Sequence, residues 1–326
     1  MSAIDEHALI ARYFRPLATD PAALELVDDA AILRPPPGCD LVLTKDGIVE
    51  GIHFLPGEEG ATVARKALRV NLSDLAAMGA EPLGYLVLLG LPDNWTEDWV
   101  ASFAAGLAAD QSAFCVALYG GDTIRAPATT VSITALGTVP EGGAVKRSGA
   151  RAGDALFVSG TIGDGGLGLL AARGELDGLA PAARDWLAGR YRCPEPRCAL
   201  AAIVRRLARA AIDVSDGLVG DLDKLCTASG VSARVEVDRV PLSPGAGAAV
   251  SADASMFDLC LTGGDDYEIL AAIPSQSAEE YARAAEDVGV PVARIGEVVA
   301  GAAPAQFVDA TGSQRAFARR SFSHTS

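Results

Sequence analysis

Aspartate recurs in this sequence where a charged side chain is costly to place. Asp28 and Asp29 precede "AAIL", Asp46 follows "LVLTK", and Asp74 sits within "NLSDLAAMG". Asp122 lies in "LYGGDT", Asp213 and Asp216 in "AIDVSDGL", and Asp265 with Asp266 in "LTGGDDYE". A lone aspartate in such a setting is ordinarily a turn or cap residue. Repetition of one context, with Leu, Val and Ile around the acids, points to a shared task. Carboxylates gathered in space repel and raise each other's pKa, and hard divalent cations relieve that repulsion. Magnesium takes oxygen ligands at about 2.1 Å, commonly one or two carboxylates with waters and substrate phosphates. Aspartates without Cys or His companions therefore predict several Mg2+ ions that share a polyphosphate. Calcium is the structural alternative, and no EF-hand spacing is present.

Glycines fit the same chemistry. Gly120-Gly121 and Gly263-Gly264 each precede an Asp after an apolar run, where the backbone can approach a phosphate or simply turn tightly. "GDGGLG", residues 163–168, satisfies G-x-G-x-x-G after a strand-like run. Acids follow it at Glu175 and Asp177, closer than the spacing of about 20 residues that a dinucleotide site uses. A glycine-rich strand-to-helix turn is the preferred reading, with a hydride-transferring dinucleotide enzyme as its competitor. No Walker A sequence and no kinase H-R-D with D-F-G pair occurs. Arg147, in "KRSGARAGD", is placed to fork onto a phosphate or to remain solvated. His53, in "VEGIHF", reads as a core histidine or a substrate contact. Lys45 stands directly beside Asp46.

The formal net charge is −15, which argues against nucleic acid or an anionic membrane surface as partner. No apolar run approaches the roughly 20 residues of a membrane span. Asp5, Glu6 and His7 interrupt the N-terminus, so the expectation is a cytoplasmic protein. The six cysteines are scattered and the three histidines do not cluster with them, which favours reduced buried thiols over a zinc site.

The elements that must position these residues alternate. Helices are expected over residues 1–18, 62–78 (closed by Gly79), and from Thr96 to about 114. Strands are expected at 40–44, 84–91, 115–119 and 129–139. A shift to Gly, Pro and basic residues over 139–154 marks a junction, giving domains of 1–140 and 141–326. Beyond it, strands are expected at "ALFVSG", "ARVEV", "YEILAAI" and "VARIGEV". Helices are expected near 166–173, 183–190, 197–209 and 217–229, with a last one capped by Ser277 and Glu280. The class is α/β, or α+β.

The ordered set "DDAAIL", "DGIVEGIHF", "NLSDLAAMGAEP", "YGGDT", "KRSGARAGD", "SGTIGDGGLGL", "AIDVSDGL" and "GGDDYE" resembles the thiamine-monophosphate kinases, from about residue 10 to the end. The resemblance implies a two-domain fold like aminoimidazole-ribonucleotide synthetase. Its N-terminal sheets would pair into a barrel across a homodimer, and its C-terminal domain would complete the ATP and substrate site. It implies transfer of the γ-phosphoryl group of ATP to thiamine monophosphate. By position it implies Asp29, Thr44, Asp46, Asp74, Asp122, Asp213 and Asp216 as metal ligands. It implies Gly121, Asp122, Arg147 and Ser215 as ATP contacts, and His53, Asp265 and Phe322 as substrate contacts. Arg147, Asp122 and Asp213 would carry catalysis. The sequence departs from the family pattern at Val27, at Lys45, which cannot ligate a metal, at Ile124, and at Asp265, where Glu is usual. Two other functions fit the same superfamily: a synthetase of the aminoimidazole-ribonucleotide or selenophosphate type, and a non-catalytic ATP-binding maturation scaffold.

Overall fold

The computed structural model describes residues 5–302 and 304–321. The chain forms two compact units, Met1–Leu75 with Glu81–Gly142, and Ala76–Ala80 with Gly143–Ser326.

In the first unit, Asp5 caps α1 (Glu6–Leu9) by accepting from Ala8 N at 2.8 Å. The winding continues as a π-turn over Ile10–Phe14 and a 3-10 turn over Arg15–Leu17, so the expected N-terminal helix is a run of three windings. There follow β1 (Cys39–Val49), α2 (Gly60–Ala77), β2 (Glu81–Leu91), α3 (Glu97–Phe114), β3 (Ala117–Arg125) and β4 (Thr130–Pro140). Thr96 caps α3 by accepting from Trp99 N, as the sequence predicts. The helix closes at Cys115, whose φ of +53° is left-handed, so the strand expected from residue 115 begins two residues later.

The sheet order is β1-β4-β2-β3, with β2 and β3 parallel and the other pairs antiparallel. Two glycines let α2 and α3 touch closely. A Cβ at Gly60 would lie 2.2 Å from Trp99 O, and one at Gly106 would lie 2.5 Å from Ala61 O. Asp110, buried in α3, is paired by Arg69 through Nε at 2.7 Å and Nη2 at 2.9 Å. The other face of the sheet is open, with Leu43, Leu86 and Ile124 exposed.

The second unit contains β5 (Ala155–Ser159), α4 (Asp164–Ala172), α5 (Pro181–Arg192), α6 (Ala201–Leu207), β6 (Ala210–Val214), α7 (Leu218–Ser229) and β7 (Ser232–Glu236). It continues with α8 (Pro244–Ala252), α9 (Met256–Thr262), β8 (Glu268–Ile273), α10 (Ala278–Asp287), β9 (Val292–Val299) and β10 (Gln306–Val308). The sheet order is β10-β7-β9-β5-β8-β6, and only β10 and β7 pair in parallel. Alternate strand residues feed two cores. Leu156, Val158, Ile212, Val214 and Leu270 pack with Leu218, Leu222 and Leu225 of α7. Phe157, Ala211, Ile269 and Ile273 pack with Val204 of α6 and Tyr281 of α10. A sheet covered on both faces explains why these strands read as continuous apolar runs.

Ser277 makes no side-chain cap. It ends a 3-10 turn (Ser275–Ser277) that winds directly into α10, so the expected capping box does not form. Tyr281 is fully buried and its hydroxyl has no hydrogen-bond partner, while its ring meets Phe157 edge-on. Such a hydroxyl lost its water without replacement. Tyr281→Phe is expected to raise unfolding free energy by about 1 kcal/mol, read as a higher urea midpoint at constant m. A lower midpoint would contradict this account.

Candidate functional site

In the first unit, period-two alternation sorts the residues of β1. Thr44 and Asp46 share the face that α2 covers. Thr44 Oγ1 donates to Asp74 Oδ2 at 2.5 Å, and Asn71 Oδ1 accepts from Asp46 N at 2.9 Å. Asn71 and Asp74 stand three residues apart on α2, so both meet the strand. Lys45 points to the opposite face. There the register aligns Lys45, Thr134, Leu86 and Gly120 in one row, and Gly47, Ser132, Leu88 and Asp122 in the next. Asp122, Gly121, Lys45, Asp28 and Asp29 line one cavity of about 610 Å³. The oxygen-bearing candidates of this unit therefore form two groups: Thr44, Asp46 and Asp74 on the α2 side, and Asp29 with Asp122 around the open-face cavity. Gly121 also has a packing reason, since a Cβ there would lie 1.9 Å from Val87 O. His53 is half-buried, its Nδ1 accepting from Val49 N at 3.1 Å and its carbonyl from Lys66 Nζ at 2.9 Å.

In the second unit, β6 delivers a buried Asp213 and then turns through Ser215, Asp216 and Gly217 into α7. Asp221, in the first turn of α7, accepts from Ser215 N at 3.0 Å and Asp216 N at 2.9 Å through Oδ2. Lys224 Nζ donates to Asp221 Oδ1 at 2.8 Å and to Asp216 Oδ2 at 2.5 Å. Sequence reasoning missed Asp221 and Lys224. Their signal was the i, i+3 spacing of an acid and a base at a helix start.

A second loop, residues 263–267, crosses the first. Asp265 N donates to Ser215 O and Tyr267 N to Val214 O, both at 2.8 Å. A Cβ at Gly264, where φ is +76°, would lie 2.4 Å from Ser215 O, so only glycine fits the crossing. Asp265 and Tyr267 both hold left-handed φ, +62° and +53°. Asp213 near the end of β6 is thus followed by Ser215 and Asp216 on the first loop, with Asp265 on the loop that crosses it. The segment of Arg147 is stitched to the start of β6 and the end of α7. Lys146 O accepts from Ala211 N at 3.1 Å and Arg147 O from Ser229 Oγ at 2.9 Å, while the Arg147 side chain is exposed. Phe322 lies outside the described residues.

The loop at 263–267 is held by Asp266. Its carboxylate is buried and accepts from Gly163 N (Oδ2) and Gly165 N (Oδ1), each at 2.9 Å. Burial pushes its pKa well above the carboxylate range, against the pull of those two N–H groups. Glu268, also buried, accepts from Ser159 Oγ at 2.6 Å, Arg197 Nε at 2.6 Å and Arg190 Nη2 at 3.0 Å. The glycines of "GDGGLG" serve these contacts. A Cβ at Gly165 would lie 2.3 Å from the backbone of Asp265, and one at Gly168 would lie 2.2 Å from Leu187 O. Two N–H groups that a pyrophosphate would need are already given to Asp266, which removes the support for a dinucleotide site.

The gathered donors are hydroxyl and carboxylate oxygens. Among the described residues, no three His, Cys, Asp or Glu side chains converge as a cage. Magnesium shared with phosphates uses only one or two carboxylates per ion, so the donor set fits it. Burial pushes the thiols of Cys226 and Cys260 up to about 12, which keeps them protonated and poor ligands.

Residues 27–139 match the family AIR synthase related protein, N-terminal domain, and residues 151–309 match its C-terminal domain. The thiamine-monophosphate kinase of Caulobacter vibrioides is 48% identical over 297 residues, covering 90% of this chain and 83% of that protein. The Escherichia coli thiamine-monophosphate kinase is 38% identical over 300 residues, 91% of each chain. Among solved structures, thiamine-monophosphate kinase from Stenotrophomonas maltophilia superposes with a TM-score of 0.83 at 37% identity, covering 93% of this chain and 96% of that one. AaThiL complexed with AMPPCP and TMP superposes at 0.78 with 27% identity, covering 98% and 97%.

The Asp266 clamp has a direct test. Asp266→Ala strips the acceptor from two buried N–H groups and is expected to lower unfolding free energy by about 2 kcal/mol or more. Because burial raises its pKa, the Asp266 contribution is full below the ordinary 3.8 and declines as pH rises through the raised value. The stability gap between wild type and variant should narrow along that rise in urea titrations. An unchanged midpoint at every pH would mean that Asp266 does not hold the loop.

Proposed function

The chain belongs to the thiamine-monophosphate kinase family, and on that premise we infer that it transfers the γ-phosphoryl group of ATP to thiamine monophosphate, releasing thiamine diphosphate and ADP. The observation that carries this is likeness along nearly the whole chain to kinases of that name, one of them solved with AMPPCP and TMP. The acceptor is a phosphate monoester whose second pKa is about 6, so most of it is already a dianion at neutral pH. No general base is required. The task is to bring two polyanions together in line.

The residues assigned to that task fall in both units. Asp29, Thr44, Asp46, Asp74 and Asp122 in the first, and Asp213 and Asp216 in the second, would hold Mg2+ through oxygen. When bound, that ion neutralises phosphate charge and orients the reacting oxygens. Gly121, Asp122, Arg147 and Ser215 would bind ATP. The Arg147 guanidinium suits a bidentate grip on phosphate, and the Ser215 hydroxyl can donate to a phosphate oxygen. His53, Asp265 and Phe322 would bind thiamine monophosphate. Transfer is direct, without a phosphoenzyme. The first domain, 1–140, would carry most of the metal ligands, and the second, 141–326, the Arg147, Asp213 and Asp265 groups. Leu43, Leu86 and Ile124, exposed on the uncovered face of the first sheet, support a homodimer in which two such sheets close a barrel. Cys226 and Cys260 are buried and in no disulfide, which agrees with a reducing, cytoplasmic setting.

With ATP, Mg2+ and thiamine monophosphate, the protein should form thiamine diphosphate and ADP one for one by chromatography. Asp213→Asn should lower that rate on the order of a hundredfold or more while the thermal midpoint is retained. Binding of ATP without thiamine diphosphate would favour the scaffold reading. Phosphate trapped covalently on the protein during turnover would end the direct mechanism.

A further inference from the structure

The ammonium of Lys224 is an internal cation seated on Asp216. It reaches Asp216 Oδ2 at 2.5 Å and Asp221 Oδ1 at 2.8 Å, and both Lys224 and Asp216 are only partly exposed. Asp221 is buried and already committed through Oδ2 to the N–H groups of Ser215 and Asp216. Lys224 therefore has one partner fixed inside the protein and one at its edge. The Asp221 contact anchors the ammonium, and the Asp216 contact is the one it can release.

We propose that Lys224 is a placeholder for a divalent ion at Asp216: it satisfies Asp216 in the metal-free protein and must yield Oδ2 when metal binds there. This rests on the assignment of Asp216 as a metal ligand. A divalent ion brought to the oxygen that the ammonium already holds meets a positive charge a few ångströms away, and with twice the charge of a monovalent partner it is repelled accordingly. Metal binding to the protein alone is therefore penalised. A polyphosphate entering with the metal gives the displaced ammonium a new anionic partner, and the penalty falls. Lys224 would so couple metal loading at Asp216 to the presence of nucleotide, and it would limit idle occupation of the site. Side-chain flexibility suits a lysine for this better than an arginine, whose planar fork would hold the carboxylate in two-point contact.

The experiment is a Mn2+ titration of the full chain followed by electron paramagnetic resonance, with and without a non-hydrolysable ATP analogue. Lys224→Gln keeps a donor but removes the charge. Without nucleotide it should tighten Mn2+ binding about three- to tenfold, the size expected when a partly exposed charge is removed. With the analogue the gain should shrink. Lys224→Arg, which keeps the charge and grips the carboxylate at two points, should bind Mn2+ no more tightly than wild type without nucleotide. Asp216→Asn should remove the Mn2+ site, and in that background Lys224→Gln should add nothing. Unchanged or weaker Mn2+ binding in Lys224→Gln overturns the placeholder role. An unchanged titration in Asp216→Asn overturns instead the assignment of Asp216 as a ligand. If Lys224→Gln fails to fold because Asp221 has lost its counter-charge, the pair Asp221→Asn with Lys224→Gln carries the same comparison against Asp221→Asn alone, since an amide oxygen still accepts from the two backbone N–H groups.

Discussion

Two buried backbone N–H groups and one buried carboxylate tie the second unit's working loops together. Asp266 accepts from Gly163 and Gly165, so the loop before β8 cannot move without dragging the start of α4. That loop in turn crosses the one after β6, with Gly264 pressed against Ser215 O and Asp265 N bonded to the same oxygen. A carboxylate removed from water is expensive unless its lone pairs are used. Here they are used to fix geometry, and the left-handed φ of Asp265 and Tyr267 is held by the same crossing. Arg190 adds a further brace, donating both to Asp266 O and to Glu268. A rigid frame of this kind places the exposed-edge groups, Ser215, Asp216 and Asp265, with little freedom to lose on binding.

The charge arrangement follows from that frame. The protein carries an excess of acids, yet those nearest the β6–α7 turn are individually accounted for: Asp221 by two N–H groups and Lys224, Asp216 by Lys224. Lys224 donates to two carboxylates, and these bonds keep its pKa raised against the opposing effect of burial. The acids of this turn are thus not bare: one ammonium, that of Lys224, bonds two of them.

Much of this was legible in the sequence where local physics decides. Thr96 before Glu97 and Asp98 caps α3, and Asp74 lies on the helix expected for it. Asp46 and Asp122, expected just past strands, lie within β1 and β3, because both strands run on beyond their apolar cores. Legibility failed where tertiary contacts overrule a local pattern. Ser277 and Glu280 have capping-box spacing, but a 3-10 turn feeds α10 and the box is not used. "GDGGLG" has the glycines of a nucleotide loop, yet their missing Cβ atoms make room for Asp265 and Leu187. Helix α8 is short and rich in Ala, Gly and Ser, and α9 has only seven residues, so neither carries enough periodic contrast to be read. The link from Lys224 to Asp216 was not legible, because the two lie eight residues apart across a turn whose shape the sequence does not specify.

In the first unit, one structural choice sorts the charges, and it is the register of β1. Side chains alternate faces along a strand, so a shift of one residue would exchange every assignment. It would bring Lys45 against α2, opposite Asp74, and send Thr44 and Asp46 to the open face with Asp122. Pairing with β4 sets the observed register along all of β1, from Cys39 opposite Pro140 to Val49 opposite Thr130. Asn71 adds a pin from the helix side, since its Oδ1 meets Asp46 N while its Nδ2 is tied back to Ala67 O. An amide side chain can do both at once, donor to its own helix and acceptor from the strand. Aspartate at that position could accept from the strand but could not donate to Ala67, and it would bring another negative charge near Asp46 and Asp74. The sorting of acids and base between two faces therefore depends on a neutral residue that needs no contact with either substrate.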